Sequence, residues 1–392
     1  MFRHLFKLVW NKKKQNFLLM TEILLSFLVM FTIFTFLVYY YQNYYRPRGI
    51  KYENVWAINY SAQLGMTDGD SLSRYNSSLE QLIKSMPPVE AVTLTGQNFP
   101  FTPISVGTYV SYNKSPRLQA NAYLTEDSYK DLLGVIVEEG RWFSKEDDAA
   151  AQKPVVINAT LKEALFGKEH AVGKSIVQND DHVRIVGVVA DLKDRSDYQA
   201  PENGIFTRLD TASQPRLGAI LVKVKPGTDA VFEGRLYNAV SHAMGNTSIN
   251  IRHLSGMLHD RNSLMLVPMI ILMVVAGFLV INVALGLFGI LWYNIHKRRG
   301  EIGLRRAVGA SGNSISKQLV GEALVLSTVS LAVGTFFAIQ FPLLHVFNLP
   351  AGVYLVALVL SVAFIYLLVV ICAVYPGKQA AAIYPAVALH ED

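Results

Sequence analysis

Apolar positions along the chain fall into two regimes. Four windows are almost continuously apolar for the ~20 residues that a helix needs to cross a hydrocarbon core about 30 Å thick. Between the first and second of them, apolar and polar residues instead alternate with the short periods of strands and amphipathic helices. The windows are residues 17–41, 263–292, 318–341 and 352–375. The first carries one charge, Glu22, and closes on Tyr39, Tyr40, Tyr41, Tyr44 and Tyr45, the composition of an aromatic interface belt. It is longer than the roughly 7–15 apolar residues of a cleaved leader, so it is expected to be retained as a span. The other three lack Lys and Arg, and Glu322 is their one acid.

The flanking charges set an expected orientation. Arg3, Lys7, Lys12, Lys13 and Lys14 precede the first window, and Lys297, Arg298, Arg299, Arg305 and Arg306 follow the second. Both flanks are therefore assigned to the cytoplasm, which leaves residues 42–262 outside and returns the tail, residues 376–392, inside. Residues 1–16 place Phe2, Leu5, Phe6, Val9 and Trp10 at helical spacing with cations between them. They read as a cytoplasmic amphipathic helix lying in the interface, with a charged extension of the first span as the plainer alternative.

Residues 42–262 are long enough to bury a core of their own, and their pattern predicts an α+β domain. Residues 55–60 read as a strand. Leu72, Tyr75, Leu79, Leu82 and Ile83 form a helical stripe stopped by Pro87 and Pro88, and residues 89–95 follow as a strand. Asn158 is placed to cap a helix running to Leu165 and ended by Gly167. Residues 175–178 and 182–190 read as a hairpin around Asn179, Asp180 and Asp181, and strands are expected at 219–224 and 249–253.

Composition sharpens this picture. Of 392 residues 51% are apolar and 17% charged, and the formal charge is +6. The cations cluster beside the apolar windows, so the positive balance is read as membrane orientation and no nucleic-acid partner is expected. A single cysteine, Cys372, lies inside an apolar window and excludes a disulfide framework.

Candidate chemistry is sparse. Gly167 to Ser175 (Gly-Lys-Glu-His-Ala-Val-Gly-Lys-Ser) resembles a phosphate-binding loop but spaces its glycines by five residues instead of four, and is read as a Gly-bounded turn. His170, His182, His253 and His259 lack metal-ligand spacing. Asp191, Asp194 and Asp197 alternate with Lys193 and Arg195, the pattern of a solvated loop. No catalytic residues, bound cofactor or metal ligands are assigned, and the chain is expected to be non-enzymatic.

The most informative stretch is cytoplasmic, within residues 293–317. Glu301, Ile302, Gly303, Leu304, Arg305, Arg306, Ala307, Val308, Gly309, Ala310 and Ser311 form a short basic amphipathic segment, with Ile302, Arg305, Arg306 and Gly309 expected on successive helical turns. Positive-inside anchoring would account for the cations but not for Glu301, Gly303 or the small-residue turn. The segment closely resembles the Glu-Ile-Gly-x-Arg-Arg-Ala-x-Gly-Ala-Ser signature of MacB/FtsX-like ABC transporter permeases, the type VII transporters. Pro385 to Leu389 resembles the family's C-terminal Pro-x-x-Ala-Leu. Residues 154–158, 165–167 and 185–191 are similar to segments of the MacB-type periplasmic domain. Gly300 stands where members of the family often carry a charged or polar residue.

The resemblance implies four spans with a MacB-type periplasmic domain between the first and second, in a bacterial inner membrane. It implies a homo- or heterodimeric permease, paired with a second copy or a paralogue, that docks through residues 301–311 on a separate ATPase subunit. That subunit would hold ATP and Mg, since no Walker A pattern occurs in this sequence. It further implies mechanotransmission, with force carried from the ATPase to the outer domain for efflux, export or lipoprotein handling, aided by a periplasmic adaptor or lipoprotein. The alternative is an FtsX-like regulator that moves a periplasmic partner such as a cell-wall hydrolase without transport. The scarcity of ionisable groups in the spans disfavours a hydrophilic conduction path, and Gly277, Ala284, Gly286, Gly289 and Gly334 are expected to serve helix packing.

Overall fold

The computed structural model describes residues 13–60, 68–113, 115–245 and 248–381. The amphipathic pattern in the first residues and Pro385 to Leu389 lie outside these. The chain forms two compact units, one of residues 43–265 and one made from the remainder.

Helix α1 (Lys13–Tyr44) holds the first apolar window. The α+β unit then opens with strand β1 (Val55–Tyr60), helix α2 (Gly69–Lys84) and strand β2 (Val89–Gly96). Asp68 caps α2 by accepting from the Ser71 amide at 2.9 Å. An inserted segment follows: β3 (Gly107–Ser111), β4 (Leu118–Thr125), α3 (Tyr129–Leu133), β5 (Val137–Gly140), β6 (Pro154–Asn158), α4 (Ala159–Phe166), β7 (Ser175–Gln178), β8 (Asp181–Val189) and β9 (Gly204–Arg208). The Asn158 side chain accepts from the Leu161 amide as the expected cap, and Gly167 ends α4 with a positive φ. The β7–β8 turn takes Asn179 and Asp180 through positive φ, which Asn and Asp tolerate better than other side chains. Strand β10 (Leu217–Val224), helix α5 (Ala230–Ala243) and strand β11 (Ile249–His253) complete the unit.

Without the insert, β1-α2-β2 and β10-α5-β11 are two βαβ halves whose strands lie in the order β11-β1-β10-β2, a split βαβ sheet. Period-two alternation sends its side chains to two cores. Trp56, Ile58, Ile220 and Val222 meet Leu79, Ile83, Phe232 and Leu236 of α2 and α5. Val55, Ala57, Ala219 and Leu221 meet Leu132 and Leu133 of α3, with Leu254 and Met257 beyond β11. Because both faces are covered, β10 carries the near-continuous apolar run Ala219–Val224 and has no polar face.

The other unit contains α1 and three further long helices. Helix α6 (Leu254–Lys297) continues directly from β11 and holds the second apolar window. A short α7 (Arg299–Ala307), α8 (Gly312–Leu343) and α9 (Ala351–Ala381) follow. Among the described residues four helices, α1, α6, α8 and α9, are long and apolar enough to cross a membrane. Ile23, Phe27 and Phe31 of α1, Val283 and Leu287 of α6, Ala323 and Leu326 of α8, and Ala357 and Ile365 of α9 share one buried cluster. Of the small residues expected at packing sites, Gly334 lies against the Phe27 ring and Gly286 against the Glu22 carboxylate, so a Cβ at either would collide. Gly277 and Gly289 face open space in the single chain.

Candidate functional site

Two places in the structure join elements that would have to move together. The first is the turn between α6 and α8. Arg298 leaves helical geometry between α6 and α7 and sends its guanidinium to Glu301 at 3.0 Å and to Glu322 of α8 at 3.1 Å. Glu301 also accepts from Arg305 at 2.5 Å. Arg305 donates to the Gln318 carbonyl at 2.9 Å, and the Gln318 amide donates to Glu322 at 3.1 Å. Five side chains thus close a ring that clamps α7 to the first turns of α8. Beneath it Ile302 is buried with Ile295, Ile315, Leu319 and Ala380.

The end of α7 explains the Gly-Ala-Ser of the sequence signature. The Ala310 amide bonds the Arg305 carbonyl and the Gly309 amide bonds the Arg306 carbonyl, with Gly309 at φ 102°. This is the left-handed helix stop that favours glycine, and Ser311 then caps α8 by accepting from the Ser314 amide at 3.2 Å. Gly309 therefore does not continue the helical face with Ile302, Arg305 and Arg306, because the helix ends at Ala307. Of the eleven residues from Glu301 to Ser311, Ile302 and Gly303 are buried, Arg306 and Ala310 half-buried, and the others exposed. Leu304 and Val308, one helical turn apart, are 56% and 82% exposed and form an apolar ridge beside the ion-pair ring. Val308 fills a variable position of the signature, and its exposure beside Leu304 is what marks it as part of the ridge.

The second place is the strap from Asp191 to Tyr198, and here the solvated-loop expectation is wrong. Lys193, Asp194, Arg195, Ser196 and Asp197 are all buried. Each charge has a partner, which is how ionised groups survive burial. Asp197 receives Arg48 Nε at 2.8 Å and Nη2 at 3.1 Å, and exchanges two hydrogen bonds with the Asn262 amide side chain, at 2.8 and 2.9 Å. Lys193 donates to the Arg46 carbonyl at 2.9 Å, and the Asn43 amide to the Tyr198 carbonyl at 3.2 Å. The strap thereby ties the residues that leave α1 to Asn262 of α6. Asp194 accepts from the Tyr123 hydroxyl, and burial pushes its carboxyl pKa up. Arg195 donates to the Ile104 carbonyl and the Ser105 hydroxyl at 3.1 and 2.9 Å. Alternating signs read equally well as a solvated face or a set of internal pairs, and the sequence carries no signal separating them.

The segment resembling a phosphate loop is a turn after α4, in which Lys174 pairs with Glu169 at 2.6 Å and lies over the Phe166 ring. Among the described residues no three His, Cys, Asp or Glu side chains are grouped to hold a metal ion.

Four helices long and apolar enough to span a membrane, with an α+β domain between the first and second, define a multi-pass membrane protein. Residues 19–232 match the MacB-like periplasmic core domain and residues 273–385 the FtsX-like permease C-terminal domain. The chain belongs to the MacB/FtsX-like family of ABC transporter permeases. It is 25% identical over 277 residues to the macrolide export ATP-binding/permease protein MacB of Aggregatibacter actinomycetemcomitans, covering 68% of this chain and 42% of that protein. It is 27% identical over 280 residues to the protein of the same name from Chlorobium phaeobacteroides, covering 67% and 42%. The chain thus spans about two fifths of the length of these curated relatives. Among solved structures, the periplasmic region of MacB from Actinobacillus actinomycetemcomitans aligns over 55% of this chain and 95% of that one, at 20% identity and a TM-score of 0.39. The extracellular domain of the noncanonic ABC-type transporter YknZ from Gram-positive bacteria aligns over 51% and 98%, at 13% identity and a TM-score of 0.36.

Proposed function

We propose that this chain is the permease subunit of an ABC transporter whose ATP is hydrolysed by a separate subunit docked on α7, and that it transmits force instead of conducting a substrate through its helices. The observation that carries this reading is the clamp around Glu301. It makes α7 a rigid extension of α8 while leaving Leu304 and Val308 exposed, so a push on the ridge is delivered to the helix and not absorbed by a flexible loop. Buried apolar anchors flanked by charges are what a protein groove takes from a docking helix. Helices α1 and α6 would carry the displacement to the strap, whose Arg48–Asp197–Asn262 contacts make the residues after α1 and the start of α6 move as one.

In this reading both termini and α7 face the cytoplasm of a bacterial inner membrane, the α+β domain lies in the periplasm, and a second copy or paralogue covers the open Gly277 and Gly289 faces of α6. The work done is efflux, export or lipoprotein handling, and a periplasmic adaptor or lipoprotein is the expected further partner. The match to the MacB-like domain over residues 19–232 favours this over a regulator of the FtsX kind. The test is affinity purification of the native complex. An ATP-binding subunit should co-purify with the wild type and be lost with Leu304→Asp or Val308→Asp, both of which should insert and fold normally. Absence of any ATP-binding subunit from the wild-type complex would overturn the reading.

A further inference from the structure

The inserted segment of the α+β domain does more than extend the sheet. Strand β4 pairs with β3, β3 with β7, β7 with β8, β8 with β6, and β6 with β9. Strand β9 then pairs back onto β4 over Asn121↔Gly204 to Thr125↔Arg208. Six strands therefore close into a small barrel. Val110, Ala120, Ile157, Ile176, Ile185 and Ile205 are buried together as its filling, as expected when few strands close and leave room only for side chains.

At one end the filling stops. The start of β3, the ends of β4, β7 and β9 and the starts of β6 and β8 meet there around a cavity of about 470 Å³, roofed by Gly96 to Asn98 and by the turn that carries Asp210 and Arg216. This lies in the size range of small-molecule sites, for which barrel mouths are a recurrent location.

The polar groups of this mouth divide into committed and uncommitted. Lys153 is paired with Asp210 at 3.1 Å, and Arg208 with Asp127 and Asp148. By contrast, neither the Asp181 carboxylate nor the Arg216 guanidinium has a partner among the described residues, and both line the cavity.

We propose that the barrel mouth binds a small zwitterion of the amino-acid or short-peptide type. Arg216 takes its carboxylate and Asp181 its ammonium. The two unpaired charges are exposed and opposite in sign, and the rest of the mouth is neutralised internally, so a ligand carrying both signs engages each of them while a singly charged one engages only one. The site lies wholly within the α+β domain and does not rest on ATPase docking.

The experiment uses the full chain in lipid nanodiscs, with trialanine as the probe and saturation-transfer NMR as the readout. Saturable binding is expected. Arg216→Gln and Asp181→Asn should each weaken it roughly tenfold, the loss of one charged hydrogen bond. N-acetyl-trialanine amide, which lacks both charges, should not compete. The proposal is overturned if trialanine shows no saturable binding up to about 10 mM, if the blocked peptide binds as well, or if Arg216→Gln and Asp181→Asn leave affinity unchanged. Unaltered thermal unfolding of both variants separates loss of the site from loss of the fold.

Discussion

Replacing Asp197 by Asn tests whether the strap is a mechanical tie or an incidental surface loop. The substitution keeps the side-chain volume but removes the negative charge that faces Arg48, and one of the two oxygens that Arg48 and Asn262 share. Breaking a fully buried ion pair costs about 3–5 kcal/mol. The Arg48 side chain is 34% exposed and keeps its bond to the Tyr52 hydroxyl, so water can recover part of the loss, and about 2–3 kcal/mol is expected. For a domain of this size each kcal/mol moves the melting temperature by about 2–4 °C, so the transition should fall by about 4–12 °C. Differential scanning fluorimetry of the full chain, reporting on Trp56 and Trp142, reads this directly.

The same pair predicts a pH signature. Burial alone would raise the Asp197 pKa, but the Arg48 guanidinium and the Asn262 amide outweigh it and hold it below the ordinary 3.8. A carboxyl depressed in the folded state stabilises above its unfolded pKa and loses that contribution as pH falls through the folded one. The gap between wild type and Asp197→Asn should therefore be full above pH about 4 and close on further acidification. Arg117→Gln, which breaks the exposed pair with Asp180, is the control and should shift melting by less than about 2 °C. A shift for Asp197→Asn no larger than that of the control would refute the argument.

Glu126 should make domain stability depend on pH in the opposite sense. Burial pushes its carboxyl from the ordinary 4.5 up to about 7, against the lowering effect of the Leu94 amide it accepts from. Because the folded state holds this proton longer than the unfolded state, stability should decline as pH rises from about 4.5 to about 7, and Glu126→Gln should flatten the slope in urea titrations. Buried Asp194, whose carboxyl is also pushed up by burial, contributes in the same direction. Gly187 faces Arg141 across the β5–β8 pairing, and a Cβ there would sit 2.1 Å from the Arg141 carbonyl oxygen. Gly187→Ala should cost about 2 kcal/mol or more, a prediction that unchanged denaturation midpoints would contradict. In the helical unit, Gly334→Leu should drive a side chain into the Phe27 ring and lower the yield of folded, detergent-stable protein, whereas Gly277→Leu, facing open space, should be tolerated by an isolated chain.

The sequence by itself determined the elements governed by local physics. Apolar windows of spanning length identify α1, α6, α8 and α9, because the bilayer demands unbroken apolar helix whatever the neighbours do. Period-two patterns located β1, β2, β10 and β11 within a residue or two, the helical stripe from Leu72 to Ile83 fell inside α2, and Asn158 and Gly167 marked the ends of α4 because caps are satisfied by residues close in sequence. Tertiary structure alone decided whatever depends on partners distant along the chain. Closure of the barrel rests on β4 meeting β9, some eighty residues later, and no local pattern encodes that pairing. The charges from Asp191 to Asp197 looked solvated because alternation of sign is blind to burial. Only the fold brings Arg48 and Asn262 to Asp197 and makes the segment a tie. In the Glu301 segment the signature was visible as residue types, but the division of labour was not. Glu301 and Arg305 stay exposed but are tied to Arg298, Gln318 and Glu322, which leaves Leu304 and Val308 as the uncommitted apolar ridge, since an ion pair is defined by the geometry of both partners and a sequence displays only one at a time.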